Sequence, residues 1–239
     1  VDATRPHPWQ STELTARYLT GLRAALPLAG EQLAVMLRVI EQLGLPVRHF
    51  LDLGCGSGTL SHLLFDRYPE SHGVLLDFSA PMLEAARALF APDRAAILEH
   101  DLHQSIHIPA VLAEAPYEAI VTGYAIHHLP DDRKQALYAE VFDLLRPGGI
   151  FINVEHVASP SPQVEGLFIQ ATADSWYQMA LAAGDTPDHA LMLARLREDD
   201  GDIVAPVEAQ CEWLRQIGYV DVDCYMKIYA LAVFGGVKP

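Results

Sequence analysis

The sequence predicts an α/β domain with a doubly wound, largely parallel sheet, and three observations lead there. Short apolar runs that read as buried strands alternate with longer runs of helical period. The first strand meets a glycine-rich turn, Leu51-Asp-Leu-Gly54-Cys-Gly56-Ser-Gly58, that opens onto a helix. Two apolar strands joined by almost no loop finish the chain, and such a pair must be antiparallel. With 51% hydrophobic and 20% charged residues in 239, the chain can bury a full core.

The elements follow in order. Residues 11–26 and 31–43 read as helices, the second from Leu33, Met36, Leu37, Ile40 and Leu43 at helical spacing, stopped by Gly44-Leu45-Pro46. His49-Phe-Leu-Asp-Leu is the first buried strand, 59–68 a helix, and Gly73-Val-Leu-Leu-Asp77 the second strand. Ser79 is placed to cap the next helix, with Pro81 in its first turn. Ala95-Ala-Ile-Leu and Ala119-Ile-Val-Thr are the third and fourth strands, 131–145 a helix, and Ile150-Phe-Ile-Asn-Val the fifth strand after Arg146-Pro-Gly-Gly149. Residues 158–204 break the rhythm. Ser159-Pro-Ser-Pro162 opens them, helices are expected near 163–183 and 187–198, and the stretch is too short for a core of its own. A helix at 206–217, stopped by Gly218, precedes the terminal strands at 220–226 and 228–234. One domain is therefore expected: helices over 1–44, a ligand-binding core over 45–157, a helical insertion acting as a lid over 158–204, and a closing helix and strand pair over 205–239.

Composition narrows the function. The formal net charge is −15, and lysine occurs only at 134, 227 and 238, so the basic stripe that phosphate neutralisation needs is missing. Nucleic acid and anionic membrane surfaces are disfavoured as partners. No apolar run is long enough to cross a bilayer. Cys55, Cys211 and Cys224 are too few and scattered for a disulfide framework and fit a reducing, cytoplasmic setting. The sequence begins at Val1 rather than Met, so a removed leader stays open.

The chemistry-bearing residues cluster at strand ends. Glycines 54, 56 and 58 let a ligand approach the backbone beside a helix N-terminus. No Gly-Lys-Ser/Thr follows, which removes a P-loop, and Thr59 stands where a dinucleotide fingerprint wants glycine or alanine. Asp52 would sit badly beside a pyrophosphate and well beside a ligand ammonium group. Asp77 ends the second strand, where a carboxylate can accept both ribose hydroxyls or simply cap a helix. After the third strand, Asp101 is placed to take an adenine amino group, with Leu102 against the ring. The fourth strand runs into Gly123-Tyr-Ala-Ile-His127-His128, beside the group to be transferred. Adjacent residues of extended chain point opposite ways, so one histidine is expected in the site and the other packed or capping. Trp176 and Tyr177 are candidate linings of a substrate pocket, or helical core. His100, His103, His107 and Glu155-His156 invite a metal reading. No Cys or carboxylate completes a site at His103 and His107, so no metal is expected.

Taken together, Leu51–Gly58, Asp77, Asp101-Leu102, the strand ending at His128 and Arg146-Pro-Gly-Gly149 resemble the class I S-adenosylmethionine-dependent methyltransferases, over roughly 45–157 and 206–239. The resemblance implies a Rossmann-like seven-stranded sheet of order 3-2-1-4-5-7-6. It implies S-adenosylmethionine as cofactor, with S-adenosylhomocysteine as product. Gly54, Cys55, Gly56 and Gly58 would lie along the methionine part, with Asp52 near its amino group. Asp77 would hold the ribose, Phe78 and Met82 would cover the adenine, and Gly123 would complete the cofactor site. The position of His128 looks like that of the catalytic histidine in phosphoethanolamine methyltransferases, and His127 stands beside it as the second candidate. The insertion matches no substrate-specific pattern, so the implied partner is a small-molecule acceptor of unknown O, N or C atom, with a homodimer left open. Rival readings are an RNA-modifying methyltransferase, an enzyme making carboxy-S-adenosylmethionine, and a protein that binds the cofactor without methyl transfer.

Overall fold

The computed structural model describes residues 26–44, 46–197 and 201–239. The helix expected over 11–26 lies outside them except at Leu26, and a role for it as a lid does too.

Helix α1 (Ala29–Gln42) is followed by β1 (His49–Leu53), α2 (Thr59–Arg67), β2 (His72–Asp77), α3 (Ala80–Leu89) and β3 (Ala95–Glu99). Next come α4 (Pro109–Glu114), β4 (Tyr117–Gly123), a single 3-10 turn (Ile126–His128), α5 (Asp131–Leu144) and β5 (Leu145–His156). The insertion supplies α6 (Pro162–Ala182) and α7 (His189–Arg195), and α8 (Val207–Ile217), β6 (Val220–Ile228) and β7 (Leu231–Val237) close the chain. The seven strands form one sheet of order β3-β2-β1-β4-β5-β7-β6, parallel from β3 to β5 and antiparallel where β7 meets β5 and β6. This is the Rossmann-like order that the resemblance implies.

The strands read as continuous apolar runs because both faces of the sheet are covered. Leu51 and Leu53 of β1 join Ile120 and Phe151 in a core capped by α5 and α8, while Phe50 joins Val121 and Ile152 in a second core against α1 and α2. The alternation is still present; it sorts residues between two cores rather than between core and water.

Several boundaries differ from expectation. β5 begins at Leu145, directly on the end of α5, because Arg146-Pro-Gly-Gly149 bulges within the strand instead of ending an element. A Cβ at Gly149 would lie 2.9 Å from the Tyr117 carbonyl oxygen, so the close approach requires glycine. The stretch from Pro109 carries the short helix α4. The terminal turn falls at Tyr229-Ala230, with Tyr229 at φ 52°, rather than near residue 227. Ser79 occupies the N-cap of α3 without a side-chain cap; its backbone N–H donates instead to Asp77 Oδ1 at 2.8 Å.

The insertion lies over the carboxyl ends of the strands. Ser161 caps α6 by accepting from Val164 N at 3.3 Å, and α6 buries only Phe168, Thr172 and Ala173. Its return segment is pinned where it matters for the site. Ala158 N donates to Ala205 O at 3.0 Å, and Ile203 N donates to His127 O at 2.7 Å.

Candidate functional site

One cavity of about 360 Å³ runs over the carboxyl ends of β1, β2, β4 and β5, within the range usual for small-molecule sites. Gly54, Cys55, Gly56, Asp77, Phe78 and Met82 line one end, with His100, Asp101 and Leu102 beside them. Gly123, Tyr124, His127, His128, His156 and Trp176 line the other.

The loop after β1 is shaped by its glycines. Gly54, Gly56 and Gly58 all have positive φ, at 66°, 55° and 88°. A Cβ on Gly54 would lie 2.2 Å from Ala125 Cβ, so that glycine seats the loop against the turn after β4. A Cβ on Gly56 would meet nothing within 4 Å, because Gly56 faces the cavity. Gly58 caps α2 and packs under Phe90, away from the lining.

Asp77 binds this loop to β2: its Oδ2 accepts from Gly56 N at 2.8 Å and its Oδ1 from Ser79 N at 2.8 Å. Burial pushes the Asp77 carboxyl above its ordinary range, against the opposing pull of these N–H donors. A carboxylate offers about four acceptor positions, so the backbone donors of Gly56, Ser79 and Phe78 still leave room for a ligand hydroxyl. Cys55 is buried, and burial, followed by Asp52 and Asp77, raises its thiol well above the usual range. It stands in the cavity as a neutral thiol rather than a nucleophile.

Asp52 and Tyr177 lie outside the cavity lining, while Asp101 lines it with one oxygen already engaged. Asp52 is fully buried under the loop, where Oδ2 accepts from Ser61 Oγ at 2.6 Å and Ser61 N at 3.2 Å, and it is not part of the cavity lining. Its carboxylate braces α2, since β1 alternation turns it toward the helix layer. Asp101 lines the cavity but spends Oδ1 on its own loop, accepting from His103 N and pairing with His103 Nδ1, both at 2.9 Å. Burial would raise that carboxyl, and the His103 donors hold it lower. Tyr177 stacks edge-on against His189 at 5.2 Å, outside the cavity that its neighbour Trp176 lines.

At the other end the two histidines share one environment. They lie on the 3-10 turn Ile126–His128, not on extended chain, so the strand alternation that would have separated them does not apply. Their ring centroids are 4.0 Å apart, and both line the cavity. Glu155, fully buried on β5, holds the turn: its Oε2 accepts from Ile126 N at 2.9 Å and His127 N at 3.2 Å. Its Oε1 meets His127 Nδ1 at 2.5 Å. Asp202, from the return of the insertion, meets His127 Nε2 at 3.6 Å, His128 Nδ1 at 3.2 Å and His156 Nδ1 at 3.1 Å.

The electrostatics follow from this clustering. Burial alone would push the His127 imidazole down, but Glu155 and Asp202 together raise it above the ordinary value. Burial likewise opposes ionisation of Glu155, and the His127 imidazole holds it below the usual carboxylate range. Asp202 is driven far below that range against its burial, by hydrogen bonds from His128 and His156. From the sequence, Glu155 and His156 are only an adjacent pair, and Asp202 carries no local signal. Their convergence depends on where the insertion returns, which local pattern does not encode. His103 and His107 do not meet: His103 holds Asp101, and His107 Nε2 lies 3.4 Å from Glu140 O.

Comparison with known proteins bears on this geometry. Residues 50–149 match the family model of a methyltransferase domain. An uncharacterised methyltransferase of Geobacillus kaustophilus is 35% identical over 99 residues, 41% of this chain and 42% of that protein. The match thus spans less than half the length of that relative. A carboxy-S-adenosyl-L-methionine synthase of Chromohalobacter salexigens is 26% identical over 214 residues, covering 86% of this chain and 74% of that one. Among solved structures, a chain from a complex of the Haloferax volcanii Trm112 methyltransferase activator superposes with a TM-score of 0.62 at 15% identity, over 99% of this chain and 100% of that one. At that identity the likeness is one of fold.

Proposed function

From a chain that belongs to the class I S-adenosylmethionine-dependent methyltransferases, we propose an enzyme that passes the methyl group of S-adenosylmethionine to a small-molecule acceptor. The observation that carries this reading is a cavity with two unlike ends. One end offers glycine backbone, the Asp77 carboxylate, and Phe78, Met82 and Leu102 as apolar cover, which suits a ribose and an adenine. The other offers imidazoles and an indole, which suits an acceptor held against the sulfonium.

The transfer needs little covalent help. An acceptor lone pair forms the new bond to the methyl carbon while the carbon–sulfur bond breaks, its electron pair staying on sulfur to give the neutral thioether S-adenosylhomocysteine. Alignment of nucleophile, carbon and sulfur supplies most of the acceleration. Where the acceptor carries a proton, His128 is the group proposed to take it or to orient the acceptor. Asp202 against Nδ1 fixes the ring, as a carboxylate does for a general base. Trp176 Nε1 is buried without a hydrogen-bond partner among the described residues, so it is available to an acceptor oxygen.

A second reading, formation of carboxy-S-adenosylmethionine, is favoured by the long similarity to the Chromohalobacter synthase. The described cavity lining contains no Lys or Arg to neutralise a carboxylated ligand, which weighs against it. No helix among the described residues is long and apolar enough to cross a membrane, and a free small molecule is the proposed acceptor. The test is calorimetric binding of S-adenosylmethionine and S-adenosylhomocysteine, mass spectrometry of any co-purified nucleoside, and turnover of radiolabelled methyl groups with a panel of hydroxylated and enolisable acceptors. Failure to bind either nucleoside would sink the reading, and a carboxylated nucleoside would replace it with the second.

A further inference from the structure

The turn after β4 and the return of the insertion assemble more ligating groups than positioning alone requires. His127, His128 and Asp202 each present one ligand atom, and these atoms all lie within 4.8 Å of one another. His127 Nε2 and His128 Nδ1 stand 3.6 and 3.2 Å from the same Asp202 oxygen, Oδ1. Nitrogen and oxygen donors bound to one ion at about 2.0–2.2 Å are themselves separated by roughly 3–3.5 Å. The observed spacings are therefore close to those of ligands on a common centre.

The surroundings are built to the same end. Glu155 Oε1 at 2.5 Å from His127 Nδ1 fixes the tautomer whose Nε2 lone pair points to Asp202, the arrangement by which a carboxylate orients a metal-bound imidazole. Glu155 is itself clamped by three backbone donors, Ile126 N, His127 N and His156 N. His156 Nδ1 holds the second Asp202 oxygen at 3.1 Å, and its Nε2 is buried without a partner among the described residues.

We propose that His127 Nε2, His128 Nδ1 and Asp202 Oδ1 bind a divalent transition-metal ion at the acceptor end of the cavity. Two imidazoles and one carboxylate, with further positions open, form a donor set that suits Zn²⁺ or Fe²⁺ and discriminates against Mg²⁺ and Ca²⁺. The open positions would face the acceptor. The described lining offers no Lys or Arg, and an ion there would supply positive charge for an acceptor bearing an anionic oxygen. This inference rests on the methyltransferase reading and refines it. The bound acceptor hydroxyl is acidified and gives its proton to water, and its oxygen then forms the bond to the methyl carbon as the carbon–sulfur bond breaks. His128 then acts as a ligand, and the proton-accepting task assigned to it above passes to the ion and solvent.

The experiment uses the whole chain, stripped with a chelator and titrated with Co²⁺ by visible absorption and with Zn²⁺ by calorimetry. One ion per chain is expected, with the absorption bands of Co²⁺ in a mixed nitrogen and oxygen site. Asp202→Asn should weaken binding at least about tenfold. Asp202 is partly exposed, and retained S-adenosylmethionine affinity shows that the variant is folded. Binding of neither ion by wild type, equal binding by Asp202→Asn, or methyl transfer undiminished in chelator would each overturn the proposal. S-adenosylmethionine binding by the metal-free protein is measured alongside. Its presence without ion binding removes the metal alone, whereas its absence removes the methyltransferase reading as well.

Discussion

Gly56 donates its backbone N–H to Asp77 Oδ2 at 2.8 Å, which joins the glycine loop of β1 to the last residue of β2. The same carboxylate takes Ser79 N on its other oxygen, so the start of α3 is part of the unit. Asp77 is thus both a candidate ribose acceptor and the tie that holds the loop in its ligand-facing shape.

Substituting Asp77 should separate those tasks. Asp77→Ala removes the acceptor for the backbone donors of Gly56, Ser79 and Phe78 and the charged contact to the ribose. The latter costs about 2–3 kcal/mol, roughly 30- to 150-fold in S-adenosylhomocysteine affinity by calorimetry. Asp77→Asn keeps an oxygen for one backbone donor but loses the charge, so it should melt closer to wild type while binding nearly as poorly as Asp77→Ala. Unchanged affinity in both variants would remove Asp77 from the ribose site.

Affinity should also depend on pH through this group. The buried Asp77 carboxyl sits above its ordinary value of 3.8 in the free protein, and ribose hydroxyls donate only to an oxygen that is free to accept. The ligand therefore favours the ionised form and draws the carboxyl back down. Affinity is full at neutral pH and falls on acidification once pH reaches the raised value, before an ordinary carboxylate would protonate. The apo fold responds in the opposite sense, because ionising this buried group costs it stability as pH rises through that value. Calorimetry as a function of pH should show a break in wild type that Asp77→Asn lacks; a break retained in the variant would assign it to another group.

Gly54 and Gly56 form a contrasting pair. Gly54→Ala places a methyl group 2.2 Å from Ala125 Cβ at a φ of 66°, so strain and overpacking together should cost roughly 2–4 kcal/mol of stability. Gly56→Ala meets no neighbouring atom within 4 Å and should cost only about 1–2 kcal/mol from its positive φ. Its methyl group would instead occupy the space a ligand needs, so cofactor affinity should fall more than stability. Denaturant titration and calorimetry on the two variants check the pair, and equal affinity of Gly56→Ala and wild type would place the ligand elsewhere.

Much of the core was legible because its signals are local. The apolar runs at Leu51, Leu75 and Ile120, the glycines of the first turn and the punctuation at Gly218 each follow from a few adjacent residues, whereas the sheet order is implied only by the resemblance to the methyltransferase family. The placement of Asp52 under the loop is not legible locally, because a polar residue of a doubly covered strand can be spent on the next helix; its partner Ser61 lies nine residues on, in the first turn of α2. The histidine pair was misread for a different reason. Extended geometry was assumed up to His128, whereas the chain leaves β4 at Gly123 and tightens into a 3-10 turn. Asp202 and Glu155 reach that turn from distant parts of the chain, and no local period marks such a meeting.

The two histidines should respond differently to removal. His127 has its ring between Glu155 and Asp202, with a side chain 8% exposed against a Glu155 side chain 1% exposed. His127→Ala strands the Glu155 carboxylate in the interior, and breaking a buried pair from one side costs about 3–5 kcal/mol. A lower melting temperature and a lower denaturant midpoint are expected whatever the acceptor. His128 pairs with the more accessible Asp202, so His128→Ala should leave the fold nearly intact. Its loss should appear in turnover, lowered about 10²- to 10⁴-fold, with S-adenosylmethionine affinity nearly unchanged, because it acts on the acceptor and not on the donor. That holds whether His128 takes the proton itself or ligates an ion that acidifies the acceptor. The checks are thermal melts, calorimetry and single-turnover methyl transfer on both variants. A stable His127→Ala with poor turnover beside an active His128→Ala would exchange the two roles. Near-normal turnover in both would leave alignment over the glycine loop as the whole of the catalysis.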